Sequence, residues 1–265
     1  MAAKRIPMLL YHVIDDHPER YSVKEGPYVL SEEVFRLQME LLHAEGYRTI
    51  GIEEFLLFRE GRMRIPDKPI IISFDDGHVT NYTAAHRVLR RYGFSAIFFV
   101  TVSLVGKPGS LAWEQVEAML SEGEEIGSHM LTHRPPTELG DEELRYELSE
   151  SKRILEDRLG VEIKFLSSPT GYYNKAVERI AREAGYKGAC TGRVGWNNAD
   201  TDPFALRRIA VKRWHGLEAF KSFVEPRPLT LLRHRVCQMF RGSARRCLGV
   251  KGYELIRSSL LRFMG

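Results

Sequence analysis

The residues most able to do chemistry fall in two short stretches, SFDDG (73–77) and GSHMLTH (127–133). Asp75 and Asp76 directly follow the apolar run PIIISF (69–74). Two adjacent carboxylates at the end of a buried strand are costly to hold ionised unless a cation or hydrogen bonds compensate. The C-terminal end of such a strand is also where parallel α/β folds place their sites. The same pair could equally cap a following helix. His129 and His133 are four residues apart, the spacing of one helical turn, which predicts that both imidazoles point the same way, as a single metal ion requires. Among nine histidines that spacing also arises by chance. One carboxylate and two neutral imidazoles would hold a divalent ion and leave positions for water and substrate. The neighbouring carboxylate then serves as a general base, because such an ion lowers the pKa of bound water towards about 7 and polarises a carbonyl.

The elements that must position these groups alternate regularly. PMLLYH (7–12) reads as a strand, and SEEVFRLQMELLHAEG (31–46) as a helix with Ser31 as N-cap and Gly46 as its stop. PIIISF is apolar throughout, as expected of a strand covered on both faces. Further strands are predicted at 94–100, near 124–128, at 163–168, and around 186–191 and 207–212. Helices are predicted near 81–92, 112–122 and 174–184, with the longest at 141–160, where Leu144, Leu148, Ile154, Leu155 and Leu159 mark one apolar stripe. Strands alternating with helices imply parallel pairing, and about seven such units favour a barrel over an open sheet.

With 265 residues, 43% of them hydrophobic and 28% charged, the chain is an ordinary globular one with room for a large core. Three cysteines without CxxC spacing indicate neither a disulfide framework nor a cysteine zinc site. The apolar run after Lys4 and Arg5 is too short for a signal-peptide core, and no stretch approaches the roughly 20 apolar residues of a membrane span; a cytoplasmic protein is expected. Charge is uneven. Residues 226–265 hold nine Lys or Arg and one acid, so a basic tail follows a mildly acidic body. VEPRPLT (224–230) is the expected boundary between a domain at 1–223 and a basic, amphipathic, helical extension at 224–265. That extension could lie on an anionic membrane surface, placing the protein at the inner face, or pack on the barrel or a partner; no nucleic-acid-binding module is recognised.

SFDDG, HMLTH and FLSSPTG (165–171), in this order, resemble the three leading motifs of the polysaccharide deacetylases with a NodB-type domain, over roughly residues 6–222. The resemblance implies a distorted (β/α) barrel, a divalent metal, most often zinc, and hydrolysis of an N-acetyl group on an amino sugar. It implies that Asp75 is the base and that Asp76, His129 and His133 are the metal ligands. Three positions depart from the pattern. Met130 stands where Ser or Thr is usual, removing a polar contact in the metal loop. Leu166 replaces a common Arg, so another group must orient Asp75. Thr170 replaces an aromatic residue, but an oxyanion contact there comes from the backbone N–H, which Thr supplies.

The late Leu-x-His motif that supplies a general acid in this family is missing from the end of the chain, since KRWHG around His215 does not fit an apolar strand end. Leu10-Tyr11-His12 does fit. First and last strands of a closed barrel are neighbours, so His12 is the expected general acid, as in branches of the family with a YH after the first strand. The competing reading is a strand-end histidine bonded to a backbone carbonyl or to Asp15. His78 is a lesser rival; His17, His43, His86 and His234 read as structural or solvated. Tyr172, Tyr173 and Trp196 are candidate sugar platforms, Tyr172 the foremost, with Asn174 equally suited to cap the next helix.

The leading expectation is a metal-dependent hydrolase removing N-acetyl groups from a polysaccharide or a lipid-linked glycan precursor. Two alternatives stand beside it: a hydrolase of a nonsugar C–N bond, and a barrel that binds carbohydrate without turnover.

Overall fold

The computed structural model describes residues 4–225. Seven strands carry the fold: β1 (Met8–Tyr11), β2 (Pro69–Phe74), β3 (Ile97–Val100), β4 (Glu125–Ser128), β5 (Phe165–Ser167), β6 (Gly188–Cys190) and β7 (Ile209–Ala210). They pair in parallel in the order β7-β1-β2-β3-β4-β5-β6. The two ends of that order meet at Leu206. Its carbonyl accepts from the Thr191 N–H (3.0 Å), and its N–H donates to the Ala189 carbonyl (3.1 Å). This is the expected distorted (β/α) barrel, with β1 beside β7 so that Leu9 lies opposite Ile209.

Strand alternation sorts the core into two layers. Leu9, Tyr11, Ile70, Ile72, Phe74, Phe98 and Val100 face the surrounding helices. Met8, Ile71, Ile97, Phe99 and Phe165 belong to a second cluster that also takes in Ile52 and Phe55 of a helix at Ile52–Arg59. That helix was not anticipated. It closes the N-terminal end of the barrel, where the Ile52 N–H donates to Glu125 (3.1 Å) at the start of β4. With the bottom plugged and the interior filled, the opposite end is left for chemistry.

The described residues form seven α-helices: α1 (Glu32–Ala44), α2 (Ile52–Arg59), α3 (Arg87–Arg91), α4 (Trp113–Ser121), α5 (Asp141–Leu159), α6 (Lys175–Glu183) and α7 (Leu217–Val224). Their ends obey local chemistry. The Ser31 hydroxyl accepts from the Val34 N–H (3.2 Å) and Asn174 from the Val177 N–H (2.9 Å), each satisfying an otherwise unpaired amide at a helix start. α5 opens with Asp141, Glu142 and Glu143 against the positive end of its dipole and stops at Gly160 in the left-handed region.

The helix expected over 81–92 is not uniform: Asn81–His86 is a π-helix that passes into α3. Side chains at both ends of this wider turn are anchored. Asn81 Nδ2 donates to the His12 carbonyl (2.7 Å), while His86 Nδ1 and Nε2 pair with Glu124 (2.8 Å) and Glu122 (3.1 Å). α7 buries Phe220, Phe223 and Val224, so the expected boundary at 223/224 falls inside a packed turn. The rest of the expected extension lies outside the described residues. No helix among the described residues is long and apolar enough to cross a membrane.

Candidate active site

Every group singled out for chemistry sits at or just past the C-terminal end of a barrel strand. His12 follows β1, Asp75 and Asp76 follow β2, His129 follows β4, and Thr170 lies in the turn after β5. Asp76 takes a left-handed backbone (φ 76°), which an aspartate tolerates better than most residues, and so turns away from its neighbour Asp75.

Asp76 Oδ1 stands 3.2 Å from His129 Nε2 and 3.1 Å from His133 Nε2. Imidazole and carboxylate ligands at about 2.0–2.2 Å from one ion lie roughly 3.0–3.4 Å from each other at tetrahedral or octahedral angles, so these three atoms are spaced to share an ion. Among the described residues this is the one cluster of such ligands, its atoms all within 4.8 Å of one another. The second shell agrees. The Ser167 carbonyl can only accept, so at 2.9 Å it places a hydrogen of His129 on Nδ1 and orients the ring with Nε2 towards Asp76. Burial alone would raise the Asp76 pKa, but hydrogen bonds from His129 and His133 outweigh it and hold the carboxyl well below its usual range. The donor set fits a divalent ion.

The His129–His133 spacing is not a helical turn. The segment is a loop with positive φ at Met130 (66°) and His133 (61°), and these two residues fold the chain back so that both rings converge, 5.0 Å apart. The two rings converge as the spacing suggests, but through left-handed residues and not a helical turn. The polar contact missing at Met130 is supplied elsewhere. Met130 is wholly buried in the core, while Glu147 on α5 accepts from the Leu131 N–H (3.0 Å), the Thr132 N–H (2.9 Å) and the Thr132 hydroxyl. Glu147 was overlooked, although it is an acid lying among Leu144, Leu148 and Ser151 on the buried stripe of α5.

The group that orients Asp75 is Arg208, which the sequence reading also missed. Its Nη1 donates to Asp75 Oδ1 (2.7 Å) and its Nη2 to Oδ2 (2.9 Å); Ser167 Oγ donates to Oδ2 as well (3.0 Å) and accepts from Nη2 (2.8 Å). Asp75 and Arg208 are 3% and 4% exposed, so this bidentate pair is desolvated as well as well aligned. Burial, the largest single influence, pushes the Asp75 pKa up, but the charge and hydrogen bond of Arg208 together with the nearby His129 and His12 outweigh it, and the net shift is downward. Arg208, just before β7, thus supplies beside Ser167 the arginine that Leu166 does not.

His12 is brought to the same centre. It is near enough to Asp76, Asp75, Arg208 and His129 to feel all four charges, and burial, the largest influence, lowers its pKa while the two carboxylates oppose that. Its ring packs against Tyr28 (4.7 Å between centroids), and its Nδ1 is buried without a hydrogen-bond partner among the described residues. Neither a backbone carbonyl nor Asp15 ties the ring. Asp15 instead accepts from Tyr21 (2.7 Å), and His78 pairs through Nδ1 with Thr80 (2.9 Å).

Thr170 is exposed with φ 61°, at a turn whose next residue, Gly171, crosses Gly192 too closely for any side chain: an added Cβ would stand 2.6 Å from Gly192 Cα. Tyr172 is buried (8% exposed), its carbonyl accepting from Ser168 Oγ (2.5 Å), so it offers little ring face to a sugar. Tyr173 is half-buried, and Asn174 is the helix cap. Trp196 is an anchor and no platform: it is 7% exposed and donates from Nε1 to the Phe223 carbonyl (2.7 Å).

Residues 62–189 match the polysaccharide deacetylase family. The Bacillus subtilis protein YxkH, named as a polysaccharide deacetylase, is 29% identical over 222 residues, covering 83% of this chain and 76% of its own. A peptidoglycan-N-acetylglucosamine deacetylase of Bacillus cereus is 35% identical over 122 residues, 46% of this chain and 55% of that protein. Among solved structures, the Streptococcus pyogenes deacetylase PplD superposes with a TM-score of 0.77 at 24% identity, over 85% of this chain and all of that one. A Bacillus cereus polysaccharide deacetylase superposes at 0.74 with 25% identity, over 84% and 70%. Barrel, motif order and the match over residues 62–189 all make this chain similar to the polysaccharide deacetylases.

Proposed function

We propose that the protein hydrolyses the acetamide of an N-acetylated amino sugar within a glycan, with Asp75 as general base and His12 as general acid. The observation that carries this reading is the pairing of an ionised carboxylate, clamped by Arg208 and Ser167, with a buried imidazole beside one Asp-His-His cluster.

Asp76, His129 and His133 would hold a divalent ion, zinc by the chemistry of two imidazoles and a carboxylate. Such an ion would polarise the amide carbonyl and acidify water. Asp75, kept ionised by Arg208, accepts the proton of the attacking water. The Thr170 N–H would donate to the oxygen on which negative charge develops. His12, whose burial weakens its hold on a proton, delivers that proton to the departing nitrogen, so the amine leaves neutral as acetate forms. The two departures that favoured a barrel without turnover are both compensated, Met130 by Glu147 and Leu166 by Arg208. A relative named for peptidoglycan N-acetylglucosamine supports a sugar amide over a nonsugar one.

The test is acetate release from N-acetylglucosamine oligosaccharides and from ureides and formyl amides, with the ion supplied and after chelation. Ion-dependent release from the sugars that disappears in Asp75→Asn is expected. Preference for the nonsugar amides, or undiminished release by an Asp75→Asn protein that retains its ion, would overturn the assignment.

A further inference from the structure

The turn Lys212–His215 leaves the C-terminal end of β7 immediately beside His12, and it is built to be rigid. The Lys212 N–H donates to His215 Nδ1 (3.1 Å), the His215 N–H to the Lys212 carbonyl (2.9 Å), and the Arg213 N–H to the Pro27 carbonyl (3.0 Å). The His215 ring stands edge-on against Phe223 of α7 (4.9 Å). At the apex of this braced turn Trp214 is 54% exposed, whereas Trp196 is 7% exposed and hydrogen-bonded. Lys212 Nζ lies over two rings at once, 5.1 Å from the Trp214 centroid and 5.5 Å from that of Tyr28, and Tyr28 itself packs on His12. Ring, ammonium and ring thus run outward from the general acid to the surface.

We infer that Trp214, Lys212 and Tyr28 form a substrate subsite on the leaving-amine side, which takes a sugar bearing an anionic substituent next to the sugar that loses its acetyl group. This rests on the reading of the centre as a sugar deacetylase. A pyranose offers a face of slightly positive C–H bonds that suits the negative face of an indole. An ammonium already held between two aromatic rings loses little freedom when it meets an anion. The anion is a carboxylate or a phosphate ester, and the two sources are separable.

The experiment is calorimetric titration of the full chain carrying Asp75→Asn, so that nothing is consumed, with three N-acetylglucosamine tetramers: neutral, with carboxylate ethers on alternate sugars, and with a terminal phosphate. Adding Trp214→Ala should weaken all three about tenfold, and Trp214→Phe should restore most of the loss. Lys212→Met should weaken only the anionic ligands, and whichever of the two it affects more identifies the source. Binding by the Trp214→Ala protein equal to its parent, or a Lys212→Met loss that is the same for neutral and charged tetramers, would overturn the subsite. Acetate release from the same tetramers by the unaltered chain reports on the reaction separately.

Discussion

Asp75 and His12 meet at one centre and are held by opposite means. Asp75 has both oxygens fixed, by two nitrogens of Arg208 and by Ser167, in a place nearly shut off from bulk solvent. His12 is fixed through its backbone, where Asn81 binds its carbonyl, and its ring is merely packed against Tyr28. A base that must remain an anion under burial needs a permanent countercharge. An acid that must give up and regain a proton is served better by a ring that no strong acceptor or donor claims.

The contrast is broken most severely by Arg208→Met. Leaving Asp75 buried without its partner should cost about 3–5 kcal/mol in urea unfolding, and adding Asp75→Asn should recover part of it. A loss under about 1 kcal/mol would mean that the pair is not the desolvated lock its geometry describes. His12→Ala should do the reverse, lowering turnover by roughly 10²-fold or more while unfolding and ion binding change little; stability loss on the scale of Arg208→Met would erase the distinction between the two sides.

The metal loop offers an intermediate case, since Glu147 touches none of the reacting atoms. Glu147→Gln should weaken ion affinity about 10- to 100-fold by competition titration with a chromophoric chelator, and unchanged affinity would show that the loop holds its own shape. The smallest effect is expected far from the centre, at His86. Hydrogen bonding to Glu124 raises its pKa against the opposing influence of burial. A raised folded-state value means that its stabilisation is complete below about pH 6.5 and fades as pH rises through the folded value. Unfolding free energy should therefore fall over that range, with a shallower slope in His86→Gln; parallel slopes would move the effect to other groups.

Much of this was legible from local signals. PIIISF followed by two acids, and a histidine at the end of MLLY, mark strand ends at a barrel mouth because burial and charge cannot otherwise coexist there. Asp76, His129 and His133 do come together, but the four-residue spacing of the histidines suggested a helix when the cause is a pair of left-handed residues, Met130 and His133. Arg208 was not legible, because its partner lies 133 positions away and is met only when β7 docks on β1. The absence of an arginine at Leu166 announced that a substitute existed, and nothing local to RRIAV said where. α2 escaped notice for a local reason: Phe55, Leu56, Leu57 and Phe58 run consecutively, which blurs the one-sided stripe by which helices are recognised.

The joining of β7 to β1 also sets an order in time. A chain emerging from the ribosome has displayed Asp75 and all three residues of the metal cluster by position 133, the same part of the chain that the family match covers, yet Arg208 arrives only near the end of the barrel. Until then the base is a carboxylate at the edge of an unclosed sheet, with no countercharge to take it out of water. The Asp75–Arg208 pair therefore forms later than the candidate metal cluster, and a product truncated before Leu206 would keep that cluster while lacking the arginine that serves as countercharge to Asp75.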